Sequence, residues 1–391
     1  MHDATAVAPS DAAQADAFCL PDGIVYLDTA THGPCLRVVQ QAAQRALDEG
    51  VAPWRLGDAD WEASIERVRA LAADCFDGDT DAVALVPSAA YGIAIAARNL
   101  PLARGEAVLV TAGAFPSQVL AWQQRCHVVG ARLLEARQLP GESASDAVLR
   151  ELDSDSTIRV LSLAHVDWRD GSVLDLDRIA AHARARGVAL VLDLSQSLGA
   201  LPARIARWKP AFAVSVGYKW LLGPGGMAYL WVDPSWRARG IPIEQHWLAR
   251  DPVAVWRGDA QRPAAWRPGA RRFDAGGVAD PQRLAMAEAA LQQVARWQIE
   301  RIAPALRART AALASALRAQ GLSSWLAPDA QAHILGVRPP VARLDAIVAA
   351  LAQAGVVTAV RQGCVRLAPH LHVGVESAGM VSDVFDGVAR G

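Results

Sequence analysis

A lysine stands where an apolar run meets a glycine-rich turn, in Phe212-Ala-Val-Ser-Val-Gly-Tyr-Lys-Trp-Leu-Leu-Gly-Pro-Gly-Gly226. Desolvation in such a setting lowers an ammonium pKa, and the free amine of Lys219 is then a nucleophile toward aldehydes. Upstream, Val191-Leu-Asp-Leu-Ser-Gln-Ser-Leu-Gly199 places one carboxylate, Asp193, at the end of a second apolar run. An isolated charge there is costly and calls for a cationic partner. Ligands of open α/β sheets sit beyond the carboxyl ends of the strands, where Asp193 and Gln196 would project. Each residue alone has an ordinary reading, Asp193 as a helix cap or core ion pair and Lys219 as an amine snorkelling to solvent. The pair is more specific. A lysine for a carbonyl carbon and a carboxylate that keeps a pyridine nitrogen protonated are what pyridoxal phosphate chemistry requires.

With these residues in place, the chain resembles the class V aminotransferase group of fold-type I pyridoxal phosphate enzymes, which includes kynureninases, cysteine desulfurases and isopenicillin N epimerase-like proteins. The resemblance runs from Tyr26-Leu-Asp-Thr-Ala-Thr-His-Gly-Pro34 to Val365-Arg-Leu-Ala-Pro-His370, and its most specific part is Asp-x-x-Gln followed by Tyr-Lys-Trp-Leu-x-Gly-Pro-Gly-Gly. It implies that Lys219 carries the cofactor as a Schiff base, that Asp193 pairs with the pyridine nitrogen and that Gln196 hydrogen-bonds the phenolic oxygen. Phe115, in Ala114-Phe-Pro-Ser-Gln118, matches a ring that stacks on the cofactor. Ser88, Ala89 and Ala90 lie where the group cradles the phosphate at a helix N-terminus, a place suited to a dianion. Tyr218 matches a phosphate-binding tyrosine. Gly276 and Gly277 match a stretch that reaches the phosphate of a neighbouring subunit, which implies a homodimer with shared active sites. Arg366 matches the arginine that grips a substrate α-carboxylate, a task suited to a planar fork, and His32 falls with it on the substrate side.

The implied reaction passes through an external aldimine and a quinonoid on the α-amino group of a small amino acid or amine-bearing metabolite. Aminotransferase or C-S/C-C lyase activity ranks first, then an epimerase or natural-product tailoring enzyme, and a degenerate binding protein of the same fold last. Kynureninases carry Asp, His and Asn where this chain has Gln118, Gln196 and Asp167, which argues against kynurenine. Desulfurases need a cysteine on a long mobile loop, whereas Cys364 lies just before Arg366 and reads as a half-buried strand thiol. No G-x-G-x-x-G follows the first strand, so a dinucleotide-binding dehydrogenase is disfavoured.

Short β-branched runs must position these groups. The expected strands are Val83 to Val86, Ala107 to Thr111, Arg159 to Ala164, Ala189 to Leu192, Ala211 to Val216 and Met227 to Val232, with helices between them such as Trp61 to Asp74 and Leu176 to Arg186. That alternation predicts an α/β fold with a mainly parallel central sheet. A long Ala-rich helical run from Pro281 through Leu317, strands at His333 to Val337 and Val365 to Leu367, and a helix from Leu344 to Ala354 predict a small C-terminal α+β domain. The expected division is a disordered or extended start over 1–20, a large cofactor-binding domain over 21–255, a connection reaching the dimer-related site over 256–280 and the small domain over 281–391. The 391 residues are 52% hydrophobic and 20% charged with a formal net charge of -1, so neither nucleic acid nor an anionic membrane is an expected partner. Five scattered cysteines form no disulfide or zinc pattern, and a cytoplasmic protein with reduced thiols and no metal is expected. Of the thirteen tryptophans, Trp54, Trp168, Trp220 and Trp247 are candidates for a roomy pocket, although most tryptophans should pack core or interface.

Overall fold

Apolar runs with no polar alternation need cover on both faces, and the chain supplies it by returning through a helix after most strands of the central sheet. The computed structural model describes residues 14–258, 261–327 and 332–391. Its strands in chain order are β1 (Val25–Tyr26), β2 (Val83–Val86), β3 (Ala107–Thr111), β4 (Arg132–Ala136), β5 (Ile158–Ala164), β6 (Ala189–Asp193), β7 (Phe212–Val216), β8 (Ala228–Val232), β9 (Leu335–Val337), β10 (Val356–Val357), β11 (Ala359–Arg361) and β12 (Cys364–Leu367). Seven of them form the central sheet in the order β2-β8-β7-β6-β5-β3-β4. β8 runs antiparallel to β2 and β7, and every other neighbouring pair is parallel.

Alternate side chains of β2 divide between two cores. Val83 and Leu85 join Leu284 and Leu291 of the helix Pro281–Trp297 on one face, while Ala84 and Val86 meet Ile93 of the helix Ala89–Asn99 on the other. The second helix lies so close to the sheet that a Cβ on Gly92 would stand 2.7 Å from Val214 Cγ2. A third core gathers Leu313, Leu335, Ile347, Leu367 and Phe385 around the antiparallel sheet β11-β12-β9, and it includes Leu27 from the start of the chain.

Two expectations about division need correction. The helix Pro281–Trp297 was expected in the small domain, yet its apolar face packs beneath the central sheet; the helical run breaks at Gln298, whose φ of 63° lies in the left-handed region. The expected loose start over 1–20 falls in part on residues 1–13, outside the described ones. From residue 14 onward the chain is packed, with Phe18 2% exposed and stacked on Trp297 at 5.7 Å. β1 then pairs in parallel with β10, so the segment before the large domain joins the C-terminal layer. Among the described residues no helix is long and apolar enough to cross a membrane.

Candidate active site

Five strands deliver the site from their carboxyl ends, as the topology of an open parallel sheet demands. β2 leads to Ser88, β3 to Phe115, β5 to Val166 and Trp168, β6 ends on Asp193, and β7 leads to Tyr218 and Lys219. These residues line one cavity together with Ala89, Ala90, Ser117, Ser195 and Gln196. Most of the side chains singled out from the sequence therefore converge, although they are spread over more than a hundred positions.

Tight backbone packing fixes the lysine. The N–H of Gly33 donates to Tyr218 O at 2.7 Å, and a Cβ at Gly33 would lie 2.3 Å from Lys219 O. Gly223 N–H closes the turn on Gly217 O at 2.8 Å, and Leu222 adopts a φ of 57°, a left-handed conformation rare for a branched side chain. Burial pushes the Lys219 amine down to about 8; Asp193 opposes that shift, and Arg366 and Arg361 reinforce it. Its Nζ stands 5.7 Å from the centre of the Phe115 ring.

Asp193 is 7% exposed and accepts one hydrogen bond, from the N–H of Ser195 at 2.9 Å. It forms no salt bridge among the described residues, so the cationic partner expected from sequence is not a side chain at ion-pair distance. Ser88 caps the helix Ala89–Asn99 with its hydroxyl, which accepts from Tyr91 N–H at 3.1 Å. The backbone N–H groups of Ala89 and Ala90, at the first turn, have no carbonyl one turn back, which suits an anion. Phe115 is 39% exposed and meets Trp168 edge-on at 5.3 Å. Trp168 is the pocket tryptophan. Trp220 lies fully buried beneath the lysine, and Trp54 and Trp247 are exposed away from the cavity lining.

Three of the residues singled out also have partners within this chain. The Gln196 amide was expected to face the phenolic oxygen, but its Nε2 donates to Ala30 O and its Oε1 accepts from Trp220 Nε1, each at 2.9 Å. One side-chain N–H of Gln196 is left for a ligand. Arg366, expected to hold a substrate carboxylate, is 1% exposed and already bound: Nη2 donates to Asp28 Oδ1 at 2.8 Å and Thr31 Oγ1 at 2.5 Å, and Nη1 to Trp168 O at 2.6 Å. Gly276 and Gly277 do not line the cavity of their own chain. Gly276 N–H donates instead to Glu244 Oε2 at 2.7 Å, and the preceding Asp274 is clamped by the buried Arg69 in a two-pronged pair at 2.9 and 2.7 Å.

His32 is exposed, with its ring 5.4 Å from that of Tyr218 and Nδ1 2.8 Å from Gly33 O. Cys364 is fully buried in β12, deeper than expected, and burial pushes its thiol up to about 11. Asp28, Thr31 and Arg361 are site neighbours that sequence reasoning passed over. The quoted N-terminal motif contains the first two, and Arg361 shows no signal beyond an arginine in a turn.

The residues fit pyridoxal phosphate. A buried carboxylate without an ion-pair partner, a lysine with a depressed pKa and a capped helix start open on one space, and each answers a different part of that molecule. Among the described residues no cluster suits a metal ion.

Comparison with known proteins agrees. Residues 25–381 match the family model described as Aminotransferase class-V. A kynureninase of Deinococcus radiodurans is 33% identical over 270 residues, which cover 66% of this chain and 63% of the relative. A kynureninase of Bacillus mycoides is 28% identical over 228 residues, 55% of this chain and 53% of the relative. The chain thus matches less than two thirds of the length of these curated relatives. Among solved structures, the cystine C-S lyase C-DES in complex with its product cysteine persulfide superposes with a TM-score of 0.79 at 22% identity, over 92% of this chain and 96% of that one. A cysteine desulfurase from Thermococcus onnurineus gives 0.81 at 16% identity, over 94% and 95%. At those identities the likeness shows the fold.

Proposed function

From the premise that this chain belongs to the class V aminotransferase family of pyridoxal phosphate-dependent proteins, we propose that it is a transferase or C-S/C-C lyase acting on the α-amino group of a free α-amino acid. The observation that carries this reading is the amine of Lys219, depressed to about 8 at the carboxyl ends of the strands that also present Asp193. The cofactor, when bound, supplies the electron sink for a carbanion at the substrate α-carbon. The chain's own residues do the rest. Asp193 would hold a proton at the pyridine nitrogen, the helix start at Ser88 to Ala90 would bind the phosphate with Tyr218, and Phe115 would pack against the cofactor. Lys219 would hold the cofactor and could move a proton at the substrate α-carbon, for which a pKa near the working pH is suited.

Gln118 and Asp167 support a substrate other than kynurenine. Gln118 is fully buried behind the cavity wall, and Asp167 is held by Arg169 at 2.7 Å. The second reading, an epimerase or tailoring enzyme, draws on the same residues. We also propose a homodimer in which Gly276 and Gly277 complete the partner's phosphate site, supported by their absence from the cavity of their own chain; sedimentation of a fully active monomer would sink it. The free state of all five cysteines supports a cytoplasmic setting.

The test is an absorbance screen of amino acids against the yellow holoprotein, with product identification for those that change the spectrum. Borohydride trapping and peptide mapping should label Lys219; Lys209 is the only other lysine. A label on Lys209, or a protein that binds cofactor and responds to no amino acid, overturns the proposal in favour of a binding module.

A further inference from the structure

Three arginines near the site differ in what answers their charge. Arg169 pairs with Asp167 at 2.7 Å and Arg366 with Asp28 at 2.8 Å. Arg361, half-buried at the end of β11, has no carboxylate at ion-pair distance among the described residues. Its Nη2 donates to Thr31 Oγ1 at 2.9 Å and its Nη1 to Val360 O at 2.9 Å. Thr31 Oγ1 also accepts from Arg366 at 2.5 Å, so one hydroxyl, with two lone pairs, holds both guanidiniums. Arg361, Arg366 and Asp28 together carry one uncompensated positive charge. Holding two like charges on one oxygen is unfavourable until an anion joins them.

The same group is tied to the lysine turn through the N-terminal strip. Thr31 is two residues from Gly33, which touches the backbone of Tyr218 and Lys219. Arg361 is near enough to lower the pKa values of both Lys219 and Arg366. Arg366, bound by Asp28, Thr31 and Trp168, has less of its fork open to a ligand than the sequence implies.

We propose that Arg361 is a second carboxylate-binding residue, and that the substrate α-carboxylate is received jointly by Arg361 and Arg366 across Thr31. Arg361 brings the unanswered charge, and Arg366 is the partner that Asp28 orients. The inference rests on the α-amino-acid reading above and adds to it the residue that distinguishes amino acids from plain amines.

The experiment titrates holoprotein with pairs that differ only by the carboxylate, L-serine against ethanolamine and L-phenylalanine against phenethylamine. The readout is the apparent Kd from the change in the cofactor's visible spectrum. Arg361→Gln keeps a donor for Thr31 but removes the charge. It should weaken the amino acids about tenfold or more, the scale of a hydrogen bond to a charged group, and leave the amines within about twofold. Equal weakening of both members would show Arg361 to be only a clasp between β11 and the Thr31 loop, and unchanged affinities would show that it plays no part; either overturns the inference. Should Arg361→Gln lose the cofactor band, Arg361→Lys decides. It keeps the charge without the fork and should weaken amino acids at least about threefold more than amines, and no such difference overturns the inference. A wild-type protein that responds to none of the amino acids overturns the substrate reading itself, whereas a responsive wild type beside an indifferent Arg361→Gln overturns this inference alone.

Discussion

Replacing Lys219 by methionine should stabilise the cofactor-free protein, and by an amount that depends on pH. The two side chains have similar length, so the substitution removes the charge while keeping most of the packing. Burial pushes the amine from its ordinary 10.5 to about 8, so its charged form is penalised in the fold and free of penalty in the unfolded chain. Below pH 8 both states carry the proton and the folded state bears the whole cost, about 3 kcal/mol. Between pH 8 and 10.5 the folded amine loses its proton while the unfolded one keeps it, so the unfolded state binds more protons and wild-type stability rises with pH. Lys219→Met should therefore be more stable than wild type by about 2 to 3 kcal/mol at pH 7, with the difference shrinking below about 1 kcal/mol by pH 10. Urea unfolding of both cofactor-free proteins at pH 7, 8, 9 and 10 measures it. A variant less stable than wild type at pH 7, or a difference flat across the range, would refute the picture of a penalised buried charge.

Asp193→Ala should still bind cofactor, because the lysine and the helix start remain, but lose most turnover; wild-type rates would make Asp193 structural only. Gly33→Ala forces a Cβ to within 2.3 Å of Lys219 O, and it should cost about 1 to 3 kcal/mol in a melt and lower cofactor occupancy by absorbance. An unaltered band would show that the loop yields freely. Cys364→Ser should leave activity nearly intact, since the buried thiol, pushed up to about 11, is a poor nucleophile near neutral pH; an inactive but folded variant would move the chain toward sulfur transfer.

What the sequence made legible follows from how each signal is encoded. Strands β2, β7 and β8 are buried at every position and read as unbroken apolar runs. β4 was missed because Arg132 and Glu135 interrupt its run at the sheet edge, where one face stays wet. The break at Gln298 was missed because only a backbone angle marks it. Lys219 and Asp193 were readable because their chemistry requires residue types at the ends of apolar strands. The partners of Arg366 and Gln196 were not. Asp28 lies 338 positions from Arg366, and Ala30 lies 166 from Gln196. No local pattern records a pairing across that distance. Arg361 escaped for the opposite reason, since an arginine in a hairpin is ordinary until the acids around it are counted.

The pairing of β1 with β10 also sets an order of events during synthesis. The strip from Val25 to Gly33 holds one end of the lysine turn, yet its own strand partner, Val356 and Val357, and the Arg366 that binds its Asp28 are synthesised long after it. The sheet core between β2 and β8 can collapse well before then, because its strands and crossovers are complete by residue 232. The earliest-made part of the pocket thus waits for the latest-made part to dock, and a nascent chain stopped short of Val356 should hold a formed sheet with an unlatched entrance. Cofactor capture should then report the docking of β10 and Arg366 onto the strip from Val25 to Gly33.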